Sequence, residues 1–522
     1  MKNPHPVWRG LFGGFLGLCL ASGSTRAISP PSDAVVTFLH TNDLHGRVIS
    51  GLDFEDATRG GLARAATLVK RIRSENPNVV FVDSGDLLHG SPVEFMTRGT
   101  SMVEAMNAAG VEISTPGNHE FDWGQDNTRR AMELAHFQWV SSNVLERATD
   151  TPLSPARPYV IRELGGVRVA FFGLTTLETV DLEWPPFIDR LRFDDPIQVA
   201  ARLVPELRRQ ADVIVALSHL GVLEDIRLSE QVPGIDVILG GHSHTTLDTR
   251  EENAGVQIAQ TGYYGQFLGR LDLKLHRDSE LDPWKIVDVN GKNGHWWQPA
   301  QSALIPLGPE VEPDSAVVAA YTPAWNDWKS LGFASLGIAG ALISDHPDHG
   351  VPGDSPMSRF LADRLRESTR ADLALTDGGW SGHLEAGPVT PFLLWNTMGG
   401  YTRQNILSLQ VTGVQILAFL EQYAEFSGST SIGVSGLISE IDSSLPVGHR
   451  VIRAELKGQA VDPSASYLVS GVAYVLQRFP SLISSAPSTV DLPVLWSRDL
   501  ILEATRKLES LLPDPTPRIV VH

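Results

Sequence analysis

At 522 residues, with 42% hydrophobic and 20% charged residues, the chain is longer than one hydrophobic core commonly organises, and two domains are expected. Its formal charge of -19, with no basic patch to offset it, excludes a nucleic-acid polymer as the natural partner. The single cysteine, Cys19, excludes zinc-thiolate and iron-sulfur chemistry, so any bound metal must be held by nitrogen and oxygen donors.

Residues 1–27 place Lys2 and Arg9 before an apolar stretch over 11–21 and end in Thr25-Arg26-Ala27, the pattern of a secretory signal peptide. About 11 apolar residues fall short of the roughly 20 that a spanning helix needs. The protein is therefore expected to be exported, periplasmic or extracellular, with no stable membrane span after cleavage. Cys19 would leave with the signal.

Over 33–281, short apolar runs alternate with segments of helical pattern, which predicts a layered α/β domain. Strands are expected over 35–39, 79–82, 112–114, 167–172, 213–217 and 237–239. A helix is expected over 61–73, where Leu62, Ala65, Ala66, Val69 and Ile72 recur at helical spacing. Residues 282–334 hold six prolines and the tryptophans Trp284, Trp296, Trp297, Trp325 and Trp328. They read as an interdomain linker with a short helix over 313–330, the indoles packing between domains. Residues 335–518 then alternate helix (356–368, 414–423) with strand (373–376, 406–411, and near 451 and 467), which predicts a second, α+β domain.

Five apolar runs end in possible metal ligands: "HTNDLHG" with Asp43 and His45, "DSGDLLHG" with Asp86, "TPGNHEFDWG" with Asn118, His119 and Asp122, "SHLG" with His219, and "GGHSHT" with His242 and His244. One histidine at a strand end is most simply a hydrogen-bonded surface residue. Five such endings in succession on parallel strands argue for a site, because the carboxyl ends of parallel strands share one edge of a sheet. In extended chain, residues two apart share a face, so Asp43 with His45, and His242 with His244, are each expected to face one centre. Seven or more donors exceed one tetrahedral ion and suit two divalent ions sharing a carboxylate. Imidazole mixed with oxygen donors fits zinc, manganese, iron or cobalt. Asp83 and His89 lie near Asp86 but are read as outside the ligand set, and His40 and Asn42 as supporting or turn residues. "SDHPDHG", with Asp345, His346, Asp348 and His349, reads as a solvated loop.

These motifs, in this order and spacing, resemble the calcineurin-like metallophosphoesterase superfamily, and within it the 5'-nucleotidase family. The resemblance implies an αββα metallophosphoesterase sandwich followed by a substrate-binding C-terminal domain that rotates against it. It implies that Asp43, His45 and His244 hold one metal, that His219, His242 and Asn118 hold the other, and that Asp86 bridges them. His119 would then address the phosphoryl group or its leaving oxygen, with Asp122 orienting the imidazole. The implied substrate is a small phosphate ester, a nucleoside 5'-monophosphate.

The C-terminal motifs depart from that family. Where it has N-G-G-x-x-R, this chain has Asp377 and Gly382. The second base-stacking ring falls at Tyr474, without the usual G-G-D-G turn, and the first falls near Ile406, with Tyr401 or Trp380 as substitutes. Arg403 and Arg478 are candidate replacement cations. The substrate set is thus Asp377, Tyr401, Arg403 and Tyr474, and a related ester (cyclic nucleotide, nucleotide sugar or sulfur oxyanion) or a non-catalytic binding role stands as the alternative.

Overall fold

The computed structural model describes residues 32–49, 59–247, 251–289, 304–347, 354–378, 382–398, 405–425, 432–483, 497–508 and 510–522. Residues 1–27, expected to form a signal peptide, lie outside them. Among the described residues no helix is long and apolar enough to cross a membrane.

Strand Ser32–Thr41 runs through the middle of the first sheet. It pairs antiparallel with Phe267–Arg277 and parallel with Val79–Asp83, which continues to Ile113–Ser114 and Gln138–Trp139. A second sheet runs Glu251–Asn253, Val256–Ala259, Val237–Leu239, Val213–His219, Val167–Thr175, Tyr159–Leu164. Alternation along each strand divides its side chains between two cores. Phe38, Val80 and Val82 face the second sheet, where Phe38 meets Phe171 edge to face at 5.8 Å. Their neighbours Leu39 and Phe81 face outward, onto helices Leu62–Glu75 and Thr100–Ala109. On the far side, helices Pro196–Leu207 and Val222–Gln231 cover the second sheet through Ala200, Val204 and Leu228. The result is helix, sheet, sheet, helix. Each fully buried side chain of this kind contributes about 1.5–3 kcal/mol.

All six expected strands form. The parallel strands belong to two facing sheets rather than one, however, so the ligand-bearing ends meet across the sandwich. The linker also differs from expectation: strands Lys285–Val289 and Leu304–Pro306 pair with Phe267–Arg277 and extend the first sheet. Pro306 is tolerated there because an edge strand needs no second ladder bond. Helix Ser315–Gly332 follows, capped by Asp314, whose carboxylate accepts from the N–H groups of Ala316 and Val317. Val317, Tyr321 and Trp328 are buried in the same core as Thr100–Ala109. Trp284 packs not between domains, as expected, but inside the first domain, in the core between its two sheets, and donates to Gly166 O at 3.2 Å; Trp296 and Trp297 lie outside the described residues.

The second domain is built on the sheet Ile406–Thr412, Ser466–Val472, Leu373–Asp377, Ile432–Ser435, with helix Pro356–Thr369 against it. That helix begins with a capping box between Ser355 and Ser358.

Candidate metal centre

The strand ends that carry the expected ligands turn sharply. Asp43, His45, Asp86, His242 and His244 have φ of 50°, 47°, 58°, 75° and 54°, a region where each non-glycine residue costs of order 1–3 kcal/mol. The expectation of extended chain is therefore corrected. Asp43 and His45 come together through a left-handed turn, while His242 and His244 part to neighbouring donor groups. Bonds between loops hold this backbone in place. The N–H of Asp43 donates to Gly85 O at 2.9 Å, that of His45 to Asp86 O at 2.9 Å, and that of Tyr264 to Asp43 O at 2.8 Å. The His242 N–H donates to the Asp43 carboxylate at 3.0 Å.

Among the described residues the possible donors fall into four overlapping groups; two of them take in His119, and the other two are the expected ligand sets. In the first, Asp43 Oδ1 lies 3.4 Å from His244 Nε2 and 3.9 Å from His45 Nε2. In the second, which includes His242, His219 Nε2 lies 3.1 Å from Asp86 Oδ2. That same oxygen is 3.8 Å from His45 Nε2, so Asp86 stands between the groups. Its other oxygen accepts the His119 N–H at 2.9 Å.

The donor chemistry fits divalent cations. His45 Nδ1 lies 3.1 Å from His89 O, and His219 Nδ1 lies 2.6 Å from Ser84 O. Carbonyls only accept, so Nδ1 carries a proton in both rings and Nε2 is the nitrogen that each turns to the cluster. Asn118 Oδ1 is buried with no hydrogen-bond partner. Next to it, a Cβ on Gly117 would lie 2.2 Å from Asp86 Oδ1 and 2.7 Å from His219 Nε2, so only glycine lets the donors converge.

Without cations the centre is a set of buried ion pairs. Burial opposes the charge on His219, but the carboxylate of Asp86 outweighs it and raises the imidazole to about 10. Burial opposes His119 likewise, and Asp122 and Asp86 raise it to about 10. Asp86, which burial alone would raise, is held well below the usual carboxylate range by its histidines, His219 first. His45 is pushed well down by burial.

His119 Nδ1 lies 2.8 Å from Asp122 Oδ2, on a ring 19% exposed. His89, read from sequence as outside the ligand set, has a supporting role, and Glu120 was missed from sequence. His89 Nδ1 lies 2.6 Å from that same Asp122 oxygen, and the His89 carbonyl orients His45. Glu120 is fully buried and accepts the N–H groups of Asp86 (2.9 Å), Leu87 (2.6 Å) and Gly117 (2.5 Å), tying two ligand loops together. The available signal was an acid following "GNH" with no solvent-facing pattern around it. Asp83 takes bonds from Thr41 Oγ1 and Gly85 N–H, and Asn42 donates to Asp43 at 2.6 Å.

In the second domain Asp377 accepts a short hydrogen bond from the Tyr474 hydroxyl, and the Arg478 guanidinium lies 5.5 Å from the Tyr474 ring centroid. Tyr401, Arg403 and Trp380 lie outside the described residues, as do Asp348 and His349. His346, 86% exposed, pairs with Asp345 at 2.9 Å.

Residues 36–246 match the calcineurin-like phosphoesterase family, and residues 344–480 match the 5'-nucleotidase C-terminal domain. The chain therefore belongs to the calcineurin-like phosphoesterases and is a metal-dependent hydrolase of phosphate esters. Within them it falls in the 5'-nucleotidase family, which carries that second domain. It is similar to the trifunctional nucleotide phosphoesterase protein YfkN of Bacillus subtilis, at 26% identity over 84% of this chain; the match spans only 31% of that longer protein. It is 27% identical to a 5'-nucleotidase of Vibrio vulnificus over 78% of this chain and 80% of that one. The crystal structure of a 5'-nucleotidase precursor from Thermus thermophilus aligns over 94% of this chain and 99% of its own, with a TM-score of 0.65 and 26% identity.

Proposed function

We propose that this protein is an exported phosphomonoesterase holding two divalent cations, with nucleoside 5'-monophosphates as substrates. Asp43, His45 and His244 would hold one cation and His219, His242 and Asn118 the other, with Asp86 placed to serve both. The observation that carries this reading is the position of Asp86 Oδ2, 3.1 Å from His219 Nε2 and 3.8 Å from His45 Nε2. Export rests on the pattern of residues 1–27.

Cations so held supply charge neutralisation of the phosphoryl oxygens and a nucleophile at neutral pH. The chain's own groups do the rest. His119, its Nδ1 anchored on Asp122, presents Nε2 to the phosphoryl group and delivers a proton to the leaving oxygen. Asp122 keeps that ring oriented and balances its charge, and Glu120 fixes the loops carrying Asp86 and Asn118. His89 and Trp123 are buried beside that imidazole.

The test is phosphate release from a panel of esters, run with elemental analysis on the same preparation. Two metals per chain with preference for 5'-nucleotides supports the proposal; no phosphate from any ester after reconstitution with manganese or zinc rejects it. A second reading keeps the metals and changes the ester to a cyclic nucleotide, a nucleotide sugar or a sulfur oxyanion. It is favoured by Asp377, whose carboxylate stands where the family has a neutral amide and is already engaged by Tyr474. The same panel separates the two readings.

A further inference from the structure

Helix Ser497–Thr505 packs within the second domain, where Ser368 Oγ donates to Leu500 O at 2.7 Å. Its second residue, Arg498, is fully buried. The guanidinium carbon lies 3.6 Å from the ring centroid of Trp395 and 5.6 Å from that of Phe95. Trp395 is on the second-domain helix Pro391–Thr397, and Phe95 is on the first-domain helix Pro92–Thr97. The cation is thus stacked where the two domains meet.

From that stack, ring contacts run to the catalytic imidazole. Phe95 meets Trp395 at 4.8 Å and Trp123 at 5.1 Å, both edge to face. Trp123 meets His89 at 5.4 Å, and His89 meets His119 at 5.4 Å. Trp123 is fixed by its Nε1–H, which donates to Leu88 O at 3.2 Å. His89 in turn lies against the Asp122 oxygen that holds His119.

Burying a guanidinium carries a large desolvation penalty that a methionine of similar length would avoid. What arginine adds is a planar face that stacks on aromatic rings in a defined orientation. A contact of that kind sets the register between two domains more narrowly than apolar packing does.

We propose that Arg498 is a positioning residue for His119: its stack on Trp395 and Phe95 seats the second domain against Trp123 and His89, and so fixes the Asp122 oxygen that orients the imidazole. This rests on the role proposed above for His119. The second domain then bears on the chemistry by way of the catalytic imidazole as well as through substrate contacts.

The test is a double-mutant cycle on the full-length, manganese-loaded protein, with Arg498→Met, His119→Ala and their combination, read as kcat and KM on a nucleoside 5'-monophosphate and as metal content. Arg498→Met is expected to lower kcat about 10- to 100-fold, the scale of a small misplacement, with KM and metal content unchanged. In the His119→Ala background it is expected to cost nothing further. An equal loss in both backgrounds, or an unchanged kcat per metal-loaded chain with only a lower melting temperature, overturns the inference while the role of His119 stands. A fully active His119→Ala enzyme removes that role, and the inference with it. Should Arg498→Met not fold, Phe95→Leu probes the same stack from the other domain, with the same non-additive loss in support and an additive or absent loss against.

Discussion

His119 and Asp122 are three residues apart in sequence, and the 2.8 Å contact between Nδ1 and Oδ2 decides which nitrogen of the imidazole faces the cation ligands. Replacing His119 by alanine is expected to lower kcat about 10²- to 10⁴-fold, the usual scale of proton transfer assistance, with metal content near normal. Asp122→Asn keeps the shape but removes the charge between His89 and His119, and a smaller loss is expected. Metal loss from His119→Ala, by elemental analysis, would reassign His119 as a ligand.

Gly117 has no room for a side chain. A Cβ there would press within 2.2 Å of Asp86 Oδ1, so Gly117→Ala is expected to displace Asp86 or the Asn118 loop and weaken the second cation by at least about 10-fold. Titration of the chelated variant with manganese measures this directly. Wild-type affinity would show that the loop moves aside without cost.

Cations and protons compete for His219. With Asp86 raising its imidazole to about 10 against the pull of burial, the metal-free ring is protonated at neutral pH. Binding a cation at Nε2 must expel that proton, so apparent affinity is expected to rise about tenfold per pH unit between about pH 6 and 8. Proton release on metal binding, measured calorimetrically in buffers of different ionisation enthalpy, checks it. An affinity flat in pH would place the proton elsewhere.

Removing the metals should also change how stability depends on pH. His119 and His219, raised to about 10, contribute stability that is fully present below their unfolded value near 6.5 and is lost as pH rises through about 10. Asp83 and Glu94, both raised to about 8 by burial, bind protons in the folded state that the unfolded chain has already released, and so act in the same direction. The chelated protein is therefore expected to melt at a lower temperature at pH 9 than at pH 6.5, and the metal-loaded protein to show a shallower decline. Parallel declines with and without chelator would contradict this.

Much of the framework was legible because the signals are local. An apolar run of four to six residues beside a helical repeat marks a strand wherever it lies, which is why 79–82 and 237–239 appear as strands Val79–Asp83 and Val237–Leu239. Strands Lys285–Val289 and Leu304–Pro306 were not legible, because edge strands with one exposed face lack a continuous apolar run. Glu120 was passed over, and the role of His89 was not legible, for a different reason: the Asp86, Leu87 and Asp122 atoms they hold lie more than thirty residues away, and their neighbours in sequence carry no trace of those partners.

By itself the sequence determined the inventory: which donors exist, in what order, at the ends of which strands, and that none is a thiol. The tertiary structure decided how those donors are shared out. His242 and His244, both in left-handed backbone, go to different groups, on a turn held by the His242 N–H bond to the Asp43 carboxylate and by Gln260, which bonds Gly241 O and the Thr245 N–H. It also decided that Arg498, far along the chain, is buried beside Phe95. Backbone conformation at a turn depends on what the loop is bonded to, and long-range packing depends on how two domains dock, so neither is written in local pattern.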